Sequence, residues 1–394
     1  MTYLDHAATT PMLPEALAAM TAELGRVGNP SSLHGSGRAA RRVVEESRET
    51  IAAALGCRPG DVVFASGGTE ADNLAIKGLY WARHRADLRR RRILISAVEH
   101  HAVLDPAQWL ADTQGAELEV LPVDHLGRLA PETLRAAIER DPASVALVSV
   151  MWANNEVGTV QSVAELAAVA HAFDVPFHSD AVQAVGGVEV NFAAAGVDAL
   201  TVTGHKVGGP LGVGALVLAR GTVPIPLLHG GGQERDIQSG TLDTPAIAGF
   251  AAAVTRVVQG LDAHAAQVSA LRDALVAGVR RVVPDVIPNG DPVHRLPGNA
   301  HFSFPGCEGD SLLMLLDARG IECSTGSACS AGVARPSHVL LAMGADEDAA
   351  RSSLRFSLGH TSTATDVEAL LEALPPVVDR ARAAGAIAAT RHRP

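Results

Sequence analysis

Val145-Ala146-Leu147-Val148-Ser149-Val150, then the helical pattern Val163–Phe173, then Pro176-Phe177-His178-Ser179-Asp180 read as strand, helix and strand. Apolar runs this short, joined by a crossover of helix length, are what a parallel sheet covered on both faces requires. The alternation extends to either side. Strands are predicted at Val62–Ser66, Ile93–Ala97, Leu118–Leu121, Ala199–Thr203 and Gly214–Leu218, and helices at Glu70–Ala86, Ala102–Thr113 and Pro131–Glu139. The fold class is therefore α/β, a mostly parallel sheet between layers of helices. The last strands have no helices between them, which predicts an antiparallel member at the sheet edge.

Beyond about residue 260 the pattern shortens. Val268, Leu271, Leu275, Val279 and Val282 recur at helical spacing. Strands follow at Ala300–Phe304 and Ser353–Leu358, with helices at Asp310–Arg319 and Pro336–Met343 and a final one through Val367, Leu370, Leu371, Leu374 and Val378. A smaller α+β domain is expected here. The tail Ala383–Pro394 lacks a period and is expected to fray. Arg89–Arg92 reads as a solvated helix end.

Of 394 residues, 47% are hydrophobic and 19% charged, which suits a sizeable core and excludes a disordered or collagen-like chain. Acidic residues outnumber basic ones by 43 to 32, a formal charge of −11 that argues against direct nucleic-acid binding. No run of 18 apolar residues is present to span a membrane. Met1–His6 has neither the basic nor the apolar region of a signal peptide. Cys57, Cys307, Cys323 and Cys329 form no CxxC pair, so a reduced, cytoplasmic protein is expected. Only two lysines occur, Lys77 and Lys206, against 30 arginines.

Three motifs carry chemistry. Ser66-Gly67-Gly68-Thr69-Glu70 stands between a strand and a helix, where exposed backbone N–H groups favour an anion, although Ser66 or Thr69 could equally cap the helix. Asp180 ends a strand on the edge where open α/β sheets bind ligands, with Gln183 close behind. Thr203-Gly204-His205-Lys206-Val207-Gly208-Gly209 ends the next strand and places a lysine among small residues, where burial makes its amine usable. Lys77, within a helix, reads as a surface lysine. A phosphate cradle, an acidic partner for a ring nitrogen and an imine-forming lysine together suit pyridoxal 5′-phosphate.

The sequence resembles the cysteine desulfurases of the NifS/IscS type, within the aminotransferase class V group. The resemblance rests on Tyr3-Leu4-Asp5-His6-Ala7-Ala8-Thr9-Thr10-Pro11, Gly67-Gly68-Thr69-Glu70-Ala71-Asp72-Asn73, Glu99-His100, Asn154-Asn155-Glu156, Ser179-Asp180-Ala181-Val182-Gln183, Gly204-His205-Lys206, His229–Arg235, Ser239-Gly240-Thr241 and Gly326-Ser327-Ala328-Cys329. It implies a fold-type-I pyridoxal-phosphate enzyme with a seven-stranded sheet. A large domain would span 16–260, and a small one 1–15 and 261–394, carrying a mobile cysteine loop at about 324–334. Lys206 would hold the cofactor and move protons at the substrate α-carbon. Asp180 would keep the ring nitrogen protonated, Gln183 would bond the ring hydroxyl, and His100 would stack on the ring. Gly68, Thr69, Thr203 and His205 would hold the phosphate, and Thr241 would reach the partner subunit's phosphate in a homodimer. Asn155, beside the cofactor, and Arg355 would bind the substrate carboxylate. His101 would start a helix.

Cys329 lies in Ser324–Gly332, a run of small polar residues that reads as a mobile loop and suits a sulfur carrier. The implied reaction converts L-cysteine to L-alanine and leaves a persulfide on Cys329 for iron–sulfur scaffold proteins or other acceptors, including tRNA thiolation. No resident metal is implied; a transient iron–sulfur cluster on Cys329 is left open. Cys323 reads as structural. Gln233, Gln238 and Arg335 depart from a frequent histidine, arginine and acidic residue, which bears on partner recognition. A selenocysteine lyase or class V aminotransferase of the same fold is the alternative, and a relay protein without turnover a further one.

Overall fold

The computed structural model describes residues 1–326 and 336–391, with side chains to residue 384. In chain order the first elements are β1 (Thr2–Tyr3), α1 (Pro14–Leu24), α2 (Gly35–Leu55), β2 (Val62–Ala65), α3 (Gly68–Ala86), β3 (Arg92–Ser96), α4 (His101–Gln114) and β4 (Glu117–Leu121). Then come α5 (Pro131–Glu139), β5 (Val145–Ser149), α6 (Val163–His171), β6 (Phe177–Asp180), α7 (Phe192–Ala195), β7 (Ala199–Thr203), β8 (Gly214–Leu218), α8 (Thr244–Gln259) and α9 (Leu261–Val282). The remainder is β9 (Ile287–Asn289), β10 (Asn299–Ser303), α10 (Gly309–Asp317), β11 (Ile321–Glu322), α11 (His338–Ala342), α12 (Glu347–Arg351), β12 (Ser353–Ser357) and α13 (Ala364–Arg391).

The central sheet has seven strands in the order β2-β8-β7-β6-β5-β3-β4, all parallel except β8, as the α/β reading requires. Alternate side chains go to opposite faces. Ile93 and Ile95 join Ala71, Leu74 and Val103 under α3 and α4, while Leu94 faces Val44, Leu134, Leu166 and Phe250 under the other helices. A separate core gathers Leu4, Val268, Leu275, Phe302, Phe356, Leu370 and Leu374 around the three-stranded sheet β12-β10-β9 and α9, α10 and α13.

Three expectations fail. The reversed strand is not at the edge: β8 is fully buried and β2 pairs outside it. The tail is not irregular from Ala383: α13 continues to Arg391 through an alanine-rich stretch of high helix propensity, and residues 392–394 lie outside the described residues. Arg92 is no solvated helix end. It lies in β3, buried, and donates to Glu119 at 2.6 Å and to the Ala137 carbonyl at 2.8 Å.

Candidate active site

The chain passes from β4 back across β3 to β5, so the strand order reverses there, and it is beyond the carboxyl ends of such strands that open α/β sheets bind ligands. His100 follows β3, Asn155 follows β5, Asp180 ends β6, and Thr203 ends β7 with Lys206 in the turn beyond it. The Lys206 charge acts electrostatically on His100, Asp180 and His205, which follow or end the neighbouring strands. Its Nζ donates to the carbonyls of Ala7 (2.5 Å) and Ala8 (2.7 Å). Gln183 Nε2 donates to the same Ala7 carbonyl at 2.8 Å. Residues 7–8 thus tie the lysine to the glutamine.

Asp180 is buried and accepts from the Val182 amide at 2.8 Å; burial lifts its pKa to about 6, and that hydrogen bond and Lys206 oppose the rise. Burial and the Lys206 charge push His100 and His205 down to about 4, so both are neutral near pH 7. His100 Nδ1 accepts from the Ala102 amide and caps α4, and His101 starts the helix as expected.

Gly67, at φ 156°, precedes α3, and no side chain caps that helix, so neither Ser66 nor Thr69 spends its hydroxyl on the cap. A Cβ at Gly68 would lie 2.9 Å from Val182 Cγ2 and 3.8 Å from Thr203 Cβ, so Gly68, Val182 and Thr203 share one cradle that only glycine leaves open. Uncapped helical N–H groups in such a cradle fit a phosphate. The donor set therefore fits pyridoxal phosphate: an amine, a buried carboxylate, neutral imidazoles and an anion cradle.

Arg355, in β12, reaches from the smaller core to the segment that follows β5. It donates from Nη1 to the Asn155 carbonyl at 2.9 Å and from Nη2 to Asp5 Oδ1 at 2.6 Å. Its Nε is buried and has no partner among the described residues, a donor that suits a ligand carboxylate. Thr241 is exposed, in the segment between β8 and α8. Cys329 lies outside the described residues.

Sequence reasoning missed a polar layer beneath Asp180. His178 Nδ1 meets Ser149 Oγ at 2.8 Å, and Nε2 meets Thr201 Oγ1 at 3.0 Å, beside Asp72. Asp72 and Glu99 are buried carboxyls held well above the usual carboxylate range by desolvation, with the Asp180 charge adding to it. The signal was one acid inside an apolar face of α3, at Asp72. The thiols of Cys57 and Cys323 are pushed up to about 12 by burial, which suits structural roles. Lys77 instead lies over the Trp109 ring at 4.6 Å.

A family model described as aminotransferase class-V matches residues 2–370. The chain belongs to that family. Among the relatives of this class-V chain, the IscS-like cysteine desulfurase of Mycobacterium tuberculosis is 58% identical over 395 aligned positions, covering all of both proteins. A solved NifS-like protein superposes with a TM-score of 0.88 at 33% identity, over 96% of this class-V chain and 99% of its own. SspA, solved in complex with cysteine, gives 0.77 at 32% identity, over 91% and 99%.

Proposed function

We propose that this chain is a pyridoxal-phosphate-dependent cysteine desulfurase. The Ala7 carbonyl shared by Lys206 and Gln183, beside the buried Asp180 that ends β6 and feels the Lys206 charge, carries the reading. Full-length likeness to relatives named cysteine desulfurase, and to a protein solved with cysteine, gives it its substrate. When bound, the cofactor supplies an electron sink for the pair left at the α-carbon. Gly68, Thr69, Thr203 and His205 would hold its phosphate, Asp180 would hold a proton on the ring nitrogen, Gln183 would bond the ring hydroxyl, and His100 would stack on the ring. Lys206 takes and returns the proton at the α-carbon. Asn155 and Arg355 fix the substrate carboxylate. Cys329 then receives the sulfur: L-cysteine and the Cys329 thiol become L-alanine and the Cys329 persulfide, which passes to an acceptor thiol.

The same reading includes the two-domain division at about residue 260, supported by the separate core around β10 and β12. It also includes a homodimer in which Thr241 meets the partner's phosphate, supported by exposed Val27, Leu33, Leu211 and Leu228 that a second copy would cover. Sulfur delivery to iron–sulfur assembly and a cytoplasmic location complete it; no helix among the described residues is long and apolar enough to cross a membrane.

The test is L-cysteine with a reductant, measuring alanine and sulfide for the wild type and Cys329→Ser. Equal amounts of both, lost on substitution while the yellow colour persists, are expected. Alanine formed without Cys329 would move the reading to a lyase, and a coloured protein with no product to a transaminase or relay protein.

A further inference from the structure

Residues 4–7 run along β12. The Ser357 amide donates to the Leu4 carbonyl at 2.7 Å, the His6 amide to the Ser357 carbonyl at 3.2 Å, and the Ala7 amide to Ser357 Oγ at 2.9 Å. This lattice fixes the Asp5 carboxylate beside the Arg355 guanidinium, where Oδ1 accepts from Nη2 at 2.6 Å. The Asn155 carbonyl holds Nη1. A guanidinium is a rigid planar fork of five N–H groups, so two anchored nitrogens determine where the third points. That third nitrogen, Nε, is buried and unpaired among the described residues, in a side chain only 5% exposed. A buried donor without an acceptor costs free energy until one arrives.

We propose that Asp5 is a positioning residue for the amino-acid substrate: with the Asn155 carbonyl it sets the plane of Arg355 and leaves the Nε edge to receive the substrate α-carboxylate. This rests on the assignment of Arg355 to that carboxylate. Asp5 reaches the reaction only through Arg355. Its backbone neighbours Ala7 and Ala8 meet Lys206, so one short segment registers the carboxylate-binding arginine against the lysine.

Geometry and charge separate by substitution. Asn at position 5 keeps an acceptor for Nη2 and removes the charge, Glu keeps the charge and displaces it by a methylene, and Ala removes both. The experiment uses the full-length holoenzyme. It measures kcat and KM for L-cysteine and for L-cysteine methyl ester, which has no carboxylate, with inhibition by L-alanine and the melting temperature alongside. Asp5→Ala is expected to raise KM for L-cysteine and Ki for L-alanine about tenfold or more. Its kcat should stay near that of the wild type, and the methyl ester should be used as before. Asp5→Glu should weaken L-cysteine in the same sense, and Asp5→Asn should remain within about threefold of the wild type.

Lower KM in both Asp5→Ala and Asp5→Asn would mean that Asp5 competes with substrate for the arginine, which overturns the proposal. Loss of melting temperature and kcat with an unchanged preference for cysteine over its ester would make Asp5 a structural tie, and Asp5→Glu, which keeps the ion pair, reads that preference if Asp5→Ala does not fold. Arg355→Lys separates the two levels. An unchanged preference there refutes the arginine's own assignment, whereas a lost preference with an inert Asp5→Ala refutes the role of Asp5 alone.

Discussion

His100 accepts the Ala102 amide through Nδ1 at the start of α4, while burial and the Lys206 charge hold its ring neutral near pH 7. The two roles come apart by substitution. Asparagine is a good N-cap, so His100→Asn should keep the melting temperature, whereas His100→Ala should lose about 1 kcal/mol of stability. Both should lower kcat with L-cysteine, by on the order of 10²–10⁴, if the ring moves a proton. An Asn variant with wild-type kcat would reduce His100 to a cap. Of the residues around it, Lys206 was legible in the sequence because two lysines left little to choose between and glycines flanked one of them. Asp5, Asp72 and His178 stand in the quoted motifs or beside them, yet their partners Arg355, Thr201 and Ser149 come from distant segments. No periodicity announces such pairs.

Between elements, the 229–241 loop is fastened to α2 and the edge strand β2 by a buried ion pair. Glu234 accepts from Arg48 at 2.7 and 2.8 Å and from the Phe64 amide at 2.9 Å. Farther along, Gln238 donates to Glu70, which also accepts from the Ser66 amide, so the loop reaches the first turn of α3. Gln238, noted as a departure from a frequent arginine, thus clasps the Glu70 carboxyl through an uncharged amide. Glu234→Ala removes the buried partner of Arg48, which keeps only the half-exposed Glu45 and the Val62 carbonyl, and should cost about 2–3 kcal/mol. Denaturant melts should show that loss, and Arg48→Met with Glu234→Leu should recover most of it. A single variant as stable as the wild type would show the pair to be dispensable. Arg48 belongs to α2, a helix the sequence reading passed over: its apolar stripe of Ala40, Val44, Ile51 and Leu55 is narrow and set among charges. Helix α8 escaped for the opposite reason, being rich in alanine and apolar on most sides. The strands were read closely because short, continuous apolar runs leave few choices of boundary. Their order was not, since β8 pairs with a strand formed about 150 residues earlier.

Over the whole molecule, buried titratable groups pull stability in opposite directions with pH. His178 and His301 are pushed down to about 3, and His6, His100 and His205 to about 4, so the folded state binds fewer protons than the unfolded one. Their contribution is full above an ordinary histidine pKa of about 6.5 and is lost as the pH falls toward those values. Asp72, Glu99 and Asp180 are raised, so the folded state keeps protons that the unfolded chain has released. Their contribution is full below the ordinary carboxyl range of about 4 and is lost as the pH rises. Between about pH 4 and 6.5 the two sets oppose each other, but five histidines outweigh three carboxyls, so the melting temperature should fall as the pH drops, less steeply than the histidines alone would dictate; near and below about 4 the carboxyls no longer offset that loss. Glu99 isolates one side of this balance, because its Oε1 accepts the Met151 amide at 2.8 Å and its Oε2 has no partner among the described residues. Glutamine reproduces the acceptor without the cost of holding a proton at neutral pH. Glu99→Gln should therefore raise the melting temperature at pH 7.5, with the advantage shrinking to nothing near pH 4. A gain independent of pH would show that Glu99 does not titrate on unfolding, and a loss at pH 7.5 would show that it is ionised in the folded protein.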